Sequence, residues 1–387
     1  MKKFLWVVLC LFLMLPCTAA FGTELDSGAA VYDVETEVES YGLDALDGYT
    51  GEAEDYYTNG ASFSDTVLAL ATGQEVLDAR SILRLIVQGL FGEGFECMAL
   101  LLSVIAISVL FSLLNNMKSS FHQETVSEIA FFVCYLILAA LIVQAFGSAA
   151  RLVTSTVKSA SVFINALAPV LMTMLVTSGG IVSAAAVNPI ILLAAQLAAT
   201  VVERLLMPLL YSSAALYLVS EINETIRVVR FADFLKKTVK WALCLILTVF
   251  AGILAIQGFC SVPMDGAAAK AAKYVVGTAV PVVGSILSDT VETVAGCSLV
   301  VKNATGAAGM IAVLIIGTAP VLRLLAVCAV FHISAAVIEP IADKRIANVM
   351  SNVASVTSLM AAIVITVALL FLICIGMVMC IGSPAAG

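Results

Sequence analysis

Eight apolar stretches, each about as long as a helix that crosses a membrane, follow one another along most of the chain. They lie at residues 97–114, 127–146, 161–178, 181–202, 205–220, 241–260, 307–332 and 358–381. A helix needs about 20 mostly apolar residues to cross the hydrocarbon core of a bilayer. Charged residues make up only 12% of the chain, against about 25% in soluble proteins, so they are too few to coat domains this apolar. The sequence therefore predicts an all-α polytopic membrane protein with about eight transmembrane helices within residues 97–381.

The same composition excludes two functional classes. Apolar residues account for 61% of the chain, which excludes a water-soluble globular enzyme. The formal net charge is −8, and no basic block is long enough to follow a phosphate backbone, which excludes a nucleic-acid-binding protein.

The first 22 residues have the three parts of a secretory signal peptide. Two lysines at 2–3 precede an apolar centre at 4–15, and small residues follow up to Ala20. We expect a cleaved signal peptide over residues 1–22, with cleavage after Ala20 or Gly22. The alternative is an uncleaved first membrane helix.

A long acidic segment follows the signal peptide. Residues 21–79 hold 14 acidic residues and no Lys or Arg. Because the net charge of the whole chain is −8, the remaining residues together carry +6. Because basic residues are retained on the cytoplasmic side, this segment is expected outside the cytoplasm. Residues 23–62 are predicted to be a flexible acidic arm. The apolar spacing within 63–96 predicts amphipathic helices on the outer membrane face or on a partner, and residues 382–387 form a short tail.

A basic stretch at residues 221–240 sets the predicted orientation. It ends with Lys236, Lys237 and Lys240 directly before Trp241, an interfacial aromatic at the start of a span. With the acidic arm outside, eight crossings place this stretch in the cytoplasm. The predicted outer loops nevertheless hold five basic residues, Arg151, Lys158, Lys270, Lys273 and Lys302.

On a helical wheel, the basic side chains of this stretch lie in one arc, opposite an apolar arc. The apolar arc consists of Val228, Phe231, Phe234 and Leu235. One interpretation is a helix that stops transfer and extends its lysines to the membrane surface. The other is a docking site for a cytoplasmic partner.

Four short landmarks recur in the same order about 115 residues apart, which indicates an internal repeat. The matched pairs are 141–146 with 254–259, 168–170 with 280–282, 204–206 with 323–325, and 220–222 with 338–340. They predict parallel copies at 127–240 and 241–357; the alternative is chance similarity between Ala-, Leu- and Val-rich helices. In the repeat, 150–180 corresponds to 262–305, and both segments are predicted to be helix–Pro–helix elements in the outer leaflet.

No catalytic or metal-binding constellation is visible in the sequence. The two His residues are far apart, the Cys residues lack CxxC spacing, and neither a phosphate loop nor a GxSxG motif is present. We therefore expect no enzymatic activity and no cofactor. Arg204 and Arg323 are predicted to anchor span ends at the interface, with a proton or substrate site as the alternative. Proline-interrupted spans and the repeat favour, as a competing class, a secondary transporter of small solutes.

Several motifs resemble those of the stage III sporulation protein AE family of endospore-forming bacteria, and the similarity covers nearly the whole chain. They lie at 121–135, 169–175, 179–180, 188–189, 232–237, 256–258, 265–270, 279–290, 297–306 and 339–343. From these motifs and the charges beside them we select candidate structural, pore or partner positions. These are Pro169, Gly179, Gly180, Asn188, Pro189, Asp233, Lys236, Lys237, Asp265, Pro281, Gly284, Asp289, Glu292, Arg323, Glu339 and Pro340.

The resemblance implies a non-enzymatic subunit of a secretion-like channel complex between mother cell and forespore. By this resemblance the chain would be the polytopic core of an eight-protein set that is made in the mother cell and assembles in the outer forespore membrane. Expected partners are an ATPase and ring-forming subunits from the same set, a forespore-made channel protein across the intermembrane space, and further copies of the chain. The N-terminal arm would lie in the intermembrane space. The resemblance implies no catalytic residue, metal ligand or cofactor.

Overall fold

The computed structural model of the protein describes fifteen stretches of the chain. They are residues 38, 41, 43–46, 62–72, 98–99, 101–110, 124–181, 184–185, 189, 193, 196–197, 199–220, 228–253, 284–340 and 344–380. The predicted signal peptide and the C-terminal tail lie outside them. All regular secondary structure in the described part is helical. The helices are α1 (Phe63–Ala71), α2 (Leu101–Leu110), α3 (Glu124–Thr177), α4 (Met207–Ser220), α5 (229–253), α6 (Gly284–Ile338) and α7 (Lys344–Cys380).

The second half of helix α7 is apolar on every side and forms the centre of the bundle. Of its most apolar 18-residue window, 72% is buried, and the helices that cover it are α6, α3 and α4. Helix α6 runs antiparallel to it: Lys302 Nζ lies 3.4 Å from the Met379 carbonyl oxygen, and Cys328 Sγ lies 3.3 Å from that of Ala354. A helix that is hydrophobic all round requires this kind of cover.

Helix α3 runs antiparallel to α6 and therefore parallel to α7. Near the end of α3, Leu167 lies against Gly309 of α6. Nearer the start of α3, Arg151 lines a cavity together with Arg323 of α6. Helix α4 runs back along α3, because the Tyr135 hydroxyl donates a 2.6 Å hydrogen bond to the carbonyl oxygen of Leu218.

The two ends of the bundle differ in charge. Helices α3 and α7 begin, and α4 ends, at one end, where the first turns of α5 pack against α4. We call this the basic end, because it carries Arg230, Lys236, Lys237, Lys240, Lys344 and Arg345. At the opposite end, the Thr177 end, α3 and α7 finish and Lys302 contacts Met379.

Four of the described helices are long and apolar enough to cross a membrane, as the predicted fold class requires. They are Phe132–Thr177, Ala199–Ser220, Gly296–Ile338 and Arg345–Cys380. Large apolar side chains cover much of the outer surface of the bundle, including Leu136 on α3 and Val249 on α5. The described part of the chain does not establish eight crossings.

The prediction of separate spans at 127–146 and 161–178 is wrong. Both stretches lie on α3, a single helix of 54 residues, about 81 Å long at the 1.5 Å rise of an α-helix. The polar residues between them do not interrupt the helix, because their hydroxyls bond to its own carbonyls. Ser148 donates to Ala145 at 2.8 Å and Thr154 donates to Ala150 at 3.1 Å. Such back-bonding lets Ser and Thr lie within a helix.

The predicted helix–Pro–helix element at 150–180 is also corrected, because residues 150–177 belong to α3, which continues through Pro169. The matching element at 262–305 stays a prediction, since Pro281 lies outside the described residues and residues 284–305 begin α6. Proline is tolerated inside a membrane helix when neighbouring groups satisfy the freed backbone. The basic residues assigned to outer loops within these segments, Arg151, Lys158 and Lys302, therefore lie on helices.

The internal repeat stays a prediction. Helices α4 and α6 end at Ser220 and Ile338, which are the paired landmarks. However, α3 ends at Thr177, whereas the corresponding part of the second copy lies inside the uninterrupted α6. The two proposed units therefore differ in how their helices are divided.

Helix α1 covers the bundle near the Thr177 end. Asp65 accepts a 3.2 Å hydrogen bond from the Ser62 backbone and completes a capping box at the start of the helix. Phe63, Val67 and Ala71 are buried on one face, which packs against α6; the Phe63 ring lies edge-on, 6.1 Å from that of Phe163 on α3. The apolar face predicted for this segment is thus covered by the same chain, and residues 73–96 lie outside the described set.

Part of the acidic arm is packed rather than extended. Val38, Leu43 and Leu46 are at most 3% exposed and belong to the hydrophobic core. The Tyr41 hydroxyl lies 2.9 Å from the Thr177 hydroxyl, so this segment sits against the end of α3. The prediction of a flexible arm does not hold for these residues, because their apolar side chains are buried against the apolar surface of the bundle.

Candidate functional site

The exposed face of α3 changes from apolar to polar near the middle of the helix. In the first half its exposed side chains are apolar, namely Ile129, Phe132, Val133, Leu136, Ile137 and Val143. From Gln144 to Ser159, polar exposed side chains lie at most four residues apart, and three more follow before the helix ends, with exposed Val162, Pro169 and Val176 among them. We call these polar side chains the polar face of α3: Gln144, Ser148, Arg151, Ser155, Lys158, Ser159, Asn165, Thr173 and Thr177.

The polar side chains of α3 differ in the free energy that contact with lipid would cost. The hydroxyls bond to their own helix, as Thr173 does to the Pro169 carbonyl at 2.9 Å, so they are inexpensive in a membrane. The longer side chains of Arg151, Lys158 and Asn165 do not make hydrogen bonds of this kind to carbonyls of their own helix. Insertion scales place a central Arg or Lys at about 2.5–3.5 kcal/mol. The polar face of α3 therefore requires water or protein beside it.

One of these cations has a partner on the neighbouring helix. Lys158 Nζ lies 3.1 Å from Glu203 Oε1, with the two side chains 57% and 49% exposed. Glu203 lies in a π-helical turn, Val202–Leu206, which leads directly into α4. Such turns widen a helix locally and are frequent at functional sites. A pair this exposed contributes little stability, about 0–1 kcal/mol.

The second arginine of this region is the predicted site residue Arg323. It is exposed on α6 and lines a cavity of about 300 Å³ together with Arg151. The sequence prediction placed Arg323 near a span end, whereas the structure places it 15 residues before the end of α6 at Ile338.

Gly179 and Gly180 end α3 and have a structural role. Gly179 has a φ of 96°, in the region that residues with a side chain seldom adopt. Its N–H donates to the Val176 carbonyl at 3.0 Å, and the N–H of Gly180 donates to that of Leu175 at 2.8 Å. This pair of bonds is the Schellman arrangement, which satisfies the last carbonyls of a helix.

The predicted residues Asp233 and Lys236 meet at the basic end. The buried Tyr217 hydroxyl donates a 2.6 Å hydrogen bond to Asp233 Oδ1, and Lys236 Nζ lies 3.0 Å from the same oxygen and 5.2 Å from the centre of the Tyr217 ring. The bond from Tyr217, with the Lys236 charge, lowers the pKa of the Asp233 carboxyl. The ionised Asp233 carboxylate therefore stabilises the fold at any pH above its pKa in the unfolded chain, about 3.9. This stabilisation is lost as the pH falls through the lower pKa of Asp233 in the folded protein.

The other side of α5 faces outward and is apolar. Phe231, Phe234 and Trp241 are 56%, 60% and 68% exposed, and the two phenylalanine rings stack with centroids 6.3 Å apart. Leu235, predicted to share their arc, is buried against the bundle. This exposed face suits lipid at the membrane interface, where large aromatic side chains are enriched.

Sequence reasoning missed the most deeply buried charge among the described residues, Lys302. Its side chain is 0% exposed, and Nζ donates to the Met379 carbonyl at 3.4 Å, at the end of α7. One turn later, a Cβ added to Gly306 would lie 2.5 Å from Met379 Cγ, so this glycine allows α6 and α7 to approach closely. The buried Asn303 Oδ1 and Thr305 Oγ1 have no hydrogen-bond partner in the described part. The polar run Lys-Asn-Ala-Thr-Gly at 302–306, which lies between apolar stretches, was the sequence feature that could have indicated a buried polar site.

The remaining predicted positions do not come together at one place. Pro169 and Pro189 are exposed on helical segments, and Lys237 is exposed on α5. Gly284, Asp289 and Glu292 lie in the first turns of α6, whereas Glu339 and Pro340 form the exposed turn after it. Asn188, Asp265 and Pro281 lie outside the described residues. No group of three His, Cys, Asp or Glu in the described stretches is arranged to hold a metal ion.

Comparison with known proteins gives one consistent result. The sequence model of the stage III sporulation protein AE family matches residues 61–382. The chain is 29% identical over 308 residues to stage III sporulation protein AE of Bacillus subtilis (strain 168), which covers 79% of this chain and 77% of that protein. No solved structure shows significant similarity to the chain.

Proposed function

Because the chain belongs to the stage III sporulation protein AE family, we propose that it is a non-enzymatic membrane subunit of a secretion-like channel complex between mother cell and forespore. Its role is to support forespore development during sporulation. The observation that carries the channel assignment is the polar face of α3, a row of mostly polar and basic side chains on the outside of an apolar bundle. A path for polar material requires such a surface within a membrane.

The proposed complex contains the partners expected from the sequence. These are an ATPase and ring-forming subunits made with it in the mother cell, a forespore-made channel protein, and further copies of this chain. The basic end faces the mother-cell cytoplasm, because Lys and Arg are concentrated there. The Thr177 end, with its packed acidic segment, faces the intermembrane space.

The secondary-transporter alternative has less support. It is based on proline-interrupted spans and on the internal repeat, but α3 continues through Pro169 without a break. Transporter sites are typically built from discontinuous helices near the bilayer midplane. Among the described residues, the π-helical turn at Val202–Leu206 is the one irregularity of this kind inside a membrane-length helix.

Thiol labelling of the polar face tests the proposal. In a variant without native cysteines, Ser155→Cys and Asn165→Cys should react with a membrane-impermeant thiol reagent at least about tenfold faster than Leu136→Cys, since only a thiol in water ionises to the reactive thiolate. After labelling of the two polar-face cysteines, the yield of heat-resistant spores should fall, because the modifying group occupies the path.

Leu197→Cys is the control for depth. Leu197 is 59% exposed and lies six residues before Glu203, which pairs with Lys158, so it is close in depth to Asn165. If Leu197→Cys reacts as fast as Asn165→Cys, this half of the bundle lies outside the membrane and the path is refuted. Slow labelling of the polar-face positions also contradicts it, because protein would then cover this face.

The orientation has a test in the native cysteines. Cys297 is partly exposed and lies five residues before Lys302, toward the Thr177 end. Under reducing conditions, Cys297 should react with a membrane-impermeant thiol reagent that is added outside cells or right-side-out vesicles. Cys134 and Cys374 are buried and should react far more slowly. Labelling of Cys297 only after the cytoplasmic face is opened would invert the proposed topology.

A further inference from the structure

We propose that the exposed side of α5 binds an anionic phospholipid. The phosphate lies between Arg230 and Lys237, whose side chains are both exposed, and an acyl chain lies along the apolar residues that follow Trp241. This surface belongs to α5 alone. It therefore shares no residue with the polar face of α3 and does not depend on the proposed channel function.

Basic and aromatic side chains alternate along one ridge of α5. Arg230, Phe234, Lys237 and Trp241 follow one another at intervals of four, three and four residues, which places them on the same face of a helix. Phe234 and Trp241 are 60% and 68% exposed, and no other large apolar side chain in the described part of the chain is as exposed as Trp241. Phe231 stacks on Phe234 and widens the aromatic surface. Aromatic and basic side chains together are typical of the level of the lipid headgroups.

The charge of this ridge favours an anionic headgroup. Between residues 229 and 241, α5 carries four basic residues and one acidic residue, so the net charge of these turns is +3. The acidic residue, Asp233, accepts the Tyr217 hydroxyl at 2.6 Å and pairs with Lys236 Nζ at 3.0 Å. Arg230 and Lys237 lie on the outward side of the same turns, where basic residues attract anionic lipid and an arginine fork suits a phosphate.

The apolar continuation of this surface distinguishes a lipid from an acidic cytoplasmic protein. After Trp241, the exposed side of α5 presents Leu245, Val249 and Ile253, which are 42%, 53% and 43% exposed. They extend the surface by about 18 Å at the 1.5 Å rise of a helix. The hydrocarbon core of a bilayer is about 30 Å thick, so one leaflet contributes about 15 Å. A soluble partner would meet only the first turns of α5, whereas a phospholipid matches the charged, aromatic and apolar parts together.

Quenching of tryptophan fluorescence by brominated lipids tests the site. The chain has two tryptophans, Trp6 and Trp241, so Trp6→Phe leaves Trp241 as a reporter within the proposed site. The full-length protein is placed in bilayers of equal amounts of phosphatidylcholine and phosphatidylglycerol, with bromine on the acyl chains of one or the other. We expect phosphatidylglycerol to contact Trp241 at least about threefold more often, because two basic residues attract its headgroup. The double variant Arg230→Gln, Lys237→Gln should lower this ratio to about 1, since both charges are removed.

Two controls separate the site from a general attraction of anionic lipid to the protein. Arg204→Gln removes an exposed arginine outside α5 and should keep the preference at Trp241. The second control moves the reporter to α3, as Leu136→Trp in a chain whose two tryptophans are replaced by phenylalanine. Leu136 is exposed among apolar side chains, so phosphatidylglycerol and phosphatidylcholine should quench this reporter equally.

A charge-preserving variant guards against an effect on folding. The exchange Arg230→Lys, Lys237→Arg keeps both positive charges and should keep the preference for phosphatidylglycerol. Equal contact of the two lipids with Trp241 in the wild type, or a preference that survives the double glutamine variant, refutes the site. If neither lipid quenches Trp241, protein or water covers the ridge, and the lipid assignment is refuted as well.

Discussion

Replacing Lys302 by glutamate is expected to prevent the protein from folding and accumulating in the membrane. The lysine is fully buried, and its Nζ contacts the Met379 carbonyl at the end of α7. A carboxylate there would face carbonyl oxygens and the negative end of the α7 dipole. An uncompensated buried charge costs about 3–5 kcal/mol, a large part of the 5–15 kcal/mol that holds a typical domain together. Lys302→Met keeps the buried apolar stem and should accumulate.

The measurement compares the amount of full-length protein in membranes and its melting temperature in detergent. Lys237→Glu makes the same charge change at an exposed position and serves as the control. Wild-type levels and melting for Lys302→Glu would contradict the burial of this side chain. If Lys302→Met is lost to the same extent, the ammonium–carbonyl contact, rather than the exclusion of a carboxylate, stabilises the junction of α6 and α7.

Reversing the charge of Lys236 should be much more damaging than reversing that of its neighbour Lys237. Lys236 has a side chain only 15% exposed and an ion pair with Asp233 at 3.0 Å, beside the Tyr217 ring. Lys236→Glu removes the pair and places two carboxylates together. A hydrogen bond to a charged group contributes about 1.5–3 kcal/mol, whereas an exposed substitution such as Lys237→Glu stays within about 0.5 kcal/mol.

The comparison separates folding from topology, because both variants replace one positive charge by a negative one in the same segment. Melting temperature and membrane level report on the Tyr217–Asp233–Lys236 network, and a reporter fused after residue 240 reports on its side of the membrane. Equal melting of the two variants would refute the network. If Lys237→Glu melts normally but abolishes spore formation, the docking interpretation of the basic stretch is supported over simple anchoring.

The apolar stretches and their charges were readable from the sequence because each is a local property. The length and composition of a stretch decide whether a helix can cross a membrane. Family membership, too, was predicted from short motifs such as residues 279–290, and the family match over residues 61–382 confirms it. Helix boundaries were less predictable, since residues 147–160 look like a polar loop. Their hydroxyls bond within α3 instead, which no composition average detects.

The sequence by itself determined the membrane class, the helical structure and the family of this protein. Only the tertiary structure decided which polar groups are inside and which are outside. Lys302 and Lys158 look alike in sequence, yet one is buried against Met379 and the other is exposed beside Glu203. Arg151 and Arg323 are 172 residues apart and meet at one cavity because α3 and α6 run antiparallel. Burial and proximity depend on which helices pack together and in what register, and short-range patterns do not encode either.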